Sequence, residues 1–426
     1  MVSAVLFISL FVFLILNVPV GIAIGMSSIM AIVAGASVST GYVFQSLISG
    51  CDSFPIMAIP LFILAGELMG AGGVSKRILD FCNVFFGRIT GGLSIVTVVV
   101  CMFFAAVSGS GPATVAAVGS MVVPSMLRKG YSQSFTLAVI AAAGCIGVII
   151  PPSIPMVIYG VSTSTSISDL FLGGFLPGIL VGGALIAYCY AYCSKQGWKG
   201  DDIPFTWQRA RSVGWEAKWA LINPIIILGG IYAGVFTPTE AAAVAVVYAF
   251  ICGVFIHREL NFRTVLNPIA SACSTTGTTM VILGCATAFT KILTIEQIPM
   301  MVTQGIISLT DNGVLILLLI NLLLLVVGCF MDTTPAIIVL SPILLPVAVK
   351  VGLDPIHFGL IMVVNLAIGF VTPPLGINLF VAARVGNVPL EVVTRGIVNF
   401  IIVMIICLLI ITFVPGIVMF LPNLLK

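Results

Sequence analysis

The sequence predicts an all-α integral membrane protein made of two repeats of inverted topology, and three observations carry that expectation. Charged residues are 7% of the chain, hydrophobic residues 60%, and mean hydropathy is +1.27, whereas a soluble domain carries roughly 25% charge. Two sets of motif peptides recur at a fixed distance: Pro124 and Pro346, Gly147 and Gly369, and Pro151 and Pro373 are each 222 positions apart, and Pro112 and Pro335 are 223. Corresponding loops carry opposite charge. Residues 72–90 hold Lys76, Arg77 and Arg88 against Asp80, and their counterpart 293–312 holds Glu296 and Asp311 with no basic residue; the charge-free 37–50 matches 257–264, which has Arg258 and Arg263. Because cytoplasmic loops collect Lys and Arg, such alternation means that the second copy is inserted upside down.

Each element follows in order. Apolar segments 2–17 and 20–36 meet at Pro19, and the first lacks a basic leader and a cleavage site, so it reads as a retained helix rather than a signal peptide. A third span covers 52–71. Residues 91–129 are two apolar arms around Ser108-Gly-Ser-Gly-Pro112, a break without charge, which suits a re-entrant hairpin. Residues 133–166 read as one helix broken at Pro151-Pro152, and 170–194 as a last span, closing a first repeat over 1–194. An amphipathic cytoplasmic link, 195–218, follows. Trp198, Trp207, Trp215 and Trp219 gather in and beside it with Lys199, Arg209, Arg211 and Lys218, as in a segment lying among lipid headgroups. The second repeat, 219–426, repeats the order: spans 219–236 and 239–256 around Pro238, a span 265–290, a hairpin 313–350 around Met331-Asp-Thr-Thr-Pro335, a helix 355–386 broken at Pro373-Pro374, and 396–421. With both termini outside, all of the 17 basic residues except Lys291, Lys350 and Lys426 lie in the cytoplasm. The eleven cysteines show no CxxC or Cys/His clustering and read as small core residues.

A lone Ser-Gly or Pro-Pro in a membrane helix reads as a kink; its duplication at fixed spacing reads as a site. In each repeat the first hairpin arm and the first piece of the broken helix end in mid-membrane with free carbonyls, which favour a cation. The second arm and second piece begin there with free N–H groups, which favour an anion. At least two Na⁺ sites are therefore expected, with hard oxygen ligands. One combines Ser108, Ser110 and Gly111 with Gly147, Val148 and Pro151; the other combines Asp332, Thr333 and Thr334 with Gly369 and Thr372. Asp332 is the most specific signal, because a carboxylate within an apolar stretch costs at least ~2.5 kcal/mol. The transported anion is expected at the helix starts near Ala113, Thr114, Ser153, Pro335, Gly376 and Asn378. Glu240, behind Thr237-Pro238-Thr239, reads as a capping residue, and Glu67 as a carboxylate in apolar surroundings near a span end.

Over essentially its whole length the chain resembles the large membrane subunit of a tripartite ATP-independent periplasmic (TRAP) transporter. The residues that carry the resemblance are Ser108-Gly-Ser-Gly-Pro-Ala-Thr114, Pro151-Pro-Ser153, Phe236-Thr-Pro-Thr-Glu-Ala241, Met331-Asp-Thr-Thr-Pro335 and Gly369-Phe-Val-Thr-Pro-Pro374. The resemblance implies Na⁺-driven uptake of an organic acid across a bacterial inner membrane. A soluble periplasmic binding protein would deliver the acid, a small four-helix membrane subunit would sit alongside, and an elevator-type transport domain would move against a scaffold. Members carry C4-dicarboxylates, sialic acids and other sugar acids, and overall similarity inclines to sialic acid. The alternatives are a stand-alone sodium/anion symporter and a passive anion channel. No organic cofactor and no nucleic acid is expected, and with no Walker motif ATP is not the direct energy source. An intramembrane protease is excluded by the lack of a GxGD sequence and by histidines, His257 and His357, placed at expected water-facing span ends.

Overall fold

The computed structural model describes residues 2–16, 18–35, 40–200, 205–310 and 312–425, and Asp311 lies outside them. All regular elements among the described residues are helical. Among the described residues, seven helices are long and apolar enough to cross a bilayer.

One group of helices contains α1 (Val2–Ile15), α2 (Val20–Val33), α3 (Thr40–Cys51), α4 (Ala58–Ala71, preceded by a 3₁₀ turn Phe54–Met57) and α5 (Val74–Phe86). Helices α6 (Gly92–Ser108) and α7 (Gly111–Arg128) form the first hairpin. Next come α8 (Gln133–Gly144), which tightens into a 3₁₀ turn Cys145–Val148, α9 (Ile154–Thr163) and the 30-residue α10 (Ile167–Gln196). The second half has α11 (Trp207–Tyr232), α12 (Pro238–Ile251), α13 (Leu266–Ile295), α14 (Ile298–Leu309), the hairpin α15 (Gly313–Phe330) and α16 (Thr333–Lys350), then α17 (Pro355–Gly369), α18 (Ile377–Gly386), α19 (Leu390–Phe413) and α20 (Pro415–Leu424).

The loops expected at 37–50, 72–90 and 293–312 instead contain α3, α5 and α14. Their sequences mix apolar and polar positions, which lowers hydropathy below that of a span while leaving one face to bury. Leu79 and Phe81 of α5 pack against the core, and Ile78 and Cys82 are fully buried. The expected link at 195–218 is also shorter: α10 runs to Gln196, and α11 continues unbroken from Trp207 through Trp219 into the apolar core.

Several helix starts are capped by polar side chains. Ser132 accepts from Phe135 N and Ser153 from Met156 N, Asp354 caps α17, and Thr237 with Glu240 forms a reciprocal capping box at α12. His257 binds Gly72 O through Nδ1 at 2.9 Å. His357 departs from expectation: it is buried in the first turn of α17, with Nε2 2.8 Å from Ile411 O, because the end of α19 covers that turn.

Packing interleaves the halves. Helix α4 lies against α12 and α13, and α13 against α2 and α3. The second arm of each hairpin lies against the helix after the break in the other half, α7 on α18 and α16 on α9. The two Pro-Pro bonds, 151–152 and 373–374, are both cis.

Candidate functional site

A cavity of about 760 Å³ opens where α4 and α13 face the two hairpin tips and the start of α9. On the hairpin side it is lined by Ser108, Ser110, Ala113, Val148, Asp332, Thr333, Thr334 and Phe370, so six of the eleven expected cation-site residues and one expected anion-site residue reach it. The opposite wall was not anticipated: Glu67 and Gly66 from α4, with Asn267, Ser271, Thr275 and Thr279 from α13. Ser271 of α13 lies close to the Glu67 carboxylate of α4. No Lys, Arg or His lines this cavity among the described residues.

The first hairpin tip is built by a residue that needs a left-handed backbone. Gly109 has φ +60 and closes α6, and Ser110 then restarts the chain in an extended conformation as the N-cap of α7. Behind the tip, Ser108 Oγ lies 3.0 Å from Thr114 Oγ1, and that hydroxyl donates to Ser110 O at 2.7 Å. Gly147 is pressed onto this knot, since a Cβ there would stand 2.6 Å from Thr114 Oγ1 and 2.7 Å from Ser110 O. The carbonyl-bearing turn of the broken helix and the hydroxyls of the hairpin tip are thus brought into contact from 33 residues apart in sequence, Thr114 to Gly147. Ser153 is buried and spent on structure, donating from Oγ to Val148 O at 2.6 Å.

At the second tip, Asp332 is the N-cap of α16; its Oδ1 accepts from Thr333 N at 2.6 Å and from Thr333 Oγ1 at 3.3 Å. One carboxylate oxygen therefore holds the helix start, and the side chain remains on the cavity wall. Gly369 meets the other arm, because a Cβ there would come within 2.5 Å of the Gly328 backbone. Thr372 folds back with Oγ1 donating to Ile368 O at 2.8 Å.

Gly111, Thr114, Gly147, Pro151, Ser153, Pro335, Gly369, Thr372, Gly376 and Asn378 do not line the cavity. Gly376 starts α18 with φ +55, and the Asn378 N–H is taken by Phe370 O at 3.0 Å, so that helix start is turned inward. The helix starts of the hairpins and broken helices that do open on the cavity are those of α7, α9 and α16, through Ser110 and Ala113, through Ile154 and Pro155, and through Thr333 and Thr334; the first turn of α13 reaches it too, through Asn267 and Pro268.

The family model described as "Tripartite ATP-independent periplasmic transporter, DctM component" matches residues 7–417. The isethionate TRAP transporter permease protein DctMQ of Oleidesulfovibrio alaskensis is 50% identical over 96% of this chain, which spans 64% of that relative's length. The C4-dicarboxylate TRAP transporter large permease protein DctM of Vibrio cholerae is 40% identical over 100% of this chain and 98% of its own. Among solved structures, the YdaH transporter of Alcanivorax borkumensis superposes with a TM-score of 0.61 over 88% of each chain at 15% identity, a likeness of fold alone.

Proposed function

Since this chain belongs to the DctM component family of tripartite ATP-independent periplasmic transporters, we propose that it is the membrane permease for a small organic acid, driven inward by sodium ions that enter the same cavity. The observation that carries the proposal is the charge of that cavity. Glu67 and Asp332 face it, and no basic side chain among the described residues does. An anion about 8 Å from a carboxylate is repelled by roughly 2 kcal/mol at an effective dielectric of 20. Cations must therefore enter before or with it. The available ligands are carboxylate, hydroxyl and carbonyl oxygens, which suit an alkali cation. An anion pore selects with rings of Lys or Arg, and that pattern is missing from this cavity.

Two further features support the reading. The hairpin tips and helix breaks recur in both halves and pack crosswise, as paired repeats around one site do. With so little of the chain outside its apolar helices, capture of a dilute solute falls to a separate periplasmic binding protein, and the exposed apolar surface of α1, α11 and α15 is left for lipid and a small membrane subunit. In this reading the loops rich in Lys and Arg face the cytoplasm of a bacterial inner membrane and both termini face the periplasm. Uptake by the large and small subunits in proteoliposomes, with candidate binding proteins, tests it. Isethionate and a C4-dicarboxylate lead the substrate panel because the two relatives are named for them, with sialic acid as a third arm. Accumulation that needs an inward Na⁺ gradient and a binding protein is expected; equilibration without Na⁺ would leave a channel, and full-rate uptake without any binding protein would leave a stand-alone symporter.

A further inference from the structure

Where α8 gives way to the 3₁₀ turn Cys145–Val148, the Cys145 N–H turns to Ala142 O and Ala143 O. The regular α-helical partner of Ala141 O, four residues ahead, is thereby lost. A buried carbonyl in that position needs another donor. It is supplied from the far end of the sequence: Asn378 Nδ2, on the first turn of α18, donates to Ala141 O at 3.2 Å and lies 3.5 Å from Cys145 Sγ. Asn378 is fully buried and its Oδ1 has no partner among the described residues. The Ala141 acceptor decides which end of the amide faces the turn. The same side chain also flanks the hairpin, since the point where a Gly144 Cβ would sit is 3.2 Å from Asn378 Nδ2 and 3.3 Å from Gly111 O.

Resting on the reading of 108–111 and 147–151 as one cation site, we propose that Asn378 is the positioning residue of that site, holding open the helix break of the first half from the second half. It touches neither the cavity nor the cation carbonyls. It replaces the hydrogen bond whose loss makes the break, and so keeps the turn that presents Gly147 and Val148 to the hairpin. Because α18 also packs on α7, any shift of α18 reaches both components of the first site together.

Asn378→Ala removes the donor, and Cys145→Ser offers another: Cys145 Sγ already points at Ala141 O from 3.7 Å, and a serine hydroxyl commonly bonds the carbonyl four residues back. Sodium dependence is read by uptake and by Na⁺-induced thermal stabilisation of the purified protein. Asn378→Ala is expected to raise the half-saturating Na⁺ concentration about tenfold, the loss of one buried hydrogen bond, and to leave uptake at saturating Na⁺ within about twofold. Adding Cys145→Ser should restore most of the shift. A shift that Cys145→Ser does not relieve would show a packing role and overturn the proposal. So would an unchanged Na⁺ dependence in Asn378→Ala when Ser108→Ala shifts it. If Ser108→Ala and Asn378→Ala both leave it unchanged, the cation site falls and takes this role with it. Should Asn378→Ala not reach the membrane, Asn378→Ser is read by the same criteria, with a smaller shift.

Discussion

Replacing Asp332 with Asn separates charge from architecture. In the structure the carboxylate has two duties: Oδ1 caps α16 by accepting from Thr333 N at 2.6 Å, and the group lines the cavity. Asn is as good an N-cap as Asp, so Asp332→Asn should insert normally and lose little stability. What disappears is the attraction for a cation. At about 4 Å and an effective dielectric of 20 that attraction is roughly 4 kcal/mol, and desolvation offsets part of it. A net loss of about 2–3 kcal/mol is roughly 30- to 140-fold in affinity, at 1.4 kcal/mol per tenfold. The assay is initial uptake in proteoliposomes across a Na⁺ series balanced with choline, beside Na⁺-induced thermal stabilisation in detergent. Half-saturation should rise by at least an order of magnitude, and Asp332→Ala should add a stability loss of about 1 kcal/mol from the missing cap. An unchanged Na⁺ curve in Asp332→Asn, at normal membrane levels, would refute the assignment of this carboxylate to the cation.

Three other outcomes are expected. In a cysteine-free background, single cysteines at Asp52 and Gln304 should react with an impermeant reagent from outside and those at Gln196 and Asn261 only after permeabilisation; labelling of all four from one side would end the inverted-repeat reading. Gly369→Ala should lose transport and about 1–3 kcal/mol of stability, because its Cβ would meet the Gly328 backbone rather than a side chain that can swing away; wild-type melting would contradict the contact. Burial lowers the pKa of His257, reinforced by the nearby Arg77 charge and opposed by its bond to Gly72 O and by Glu259. The unfolded chain therefore takes up that proton first, so the contribution is intact above the ordinary histidine pKa of about 6.5 and is lost as pH falls below it. Melting measured from pH 8 to 5.5 should fall less steeply in His257→Gln than in the wild type, and equal slopes would discount the residue.

What could be read from the chain and what could not divide along a physical line. A proline, a glycine or a carboxylate inside an apolar run announces itself locally, so the tips at Gly109 and Asp332 and the breaks at Pro151 and Pro373 were visible one by one, and their repetition showed that they belong together. Helices α3, α5 and α14 were missed because half-apolar segments fall between the signature of a span and that of a loop. The far wall of the cavity was missed for another reason: Glu67 and Ser271 become neighbours only when α4 packs on α13, across 204 residues. A signal was present even so, since Asn267, Ser271, Thr275 and Thr279 recur every four residues and must share one helix face. Asn378 looked like an anion ligand because it opens a helix, but the start of α18 is turned towards α8, and no local pattern reports that.

The two threonine hydroxyls that α13 brings to the cavity are already spoken for within their own helix. Thr275 donates to Ser271 O at 3.1 Å and Thr279 to Thr275 O at 2.9 Å. Each therefore turns lone pairs, rather than protons, towards the cavity. That pair of threonines is wettable yet grips nothing by a fixed bond, so it sets no register for the hairpins opposite and no template for a particular cargo. Selectivity then has to be written elsewhere, on the hairpin side, on Glu67, Asn267 and Ser271, or in whatever delivers the cargo, and exchanging Thr275 or Thr279 would alter how easily the cavity fills with water before it altered which cargo is chosen.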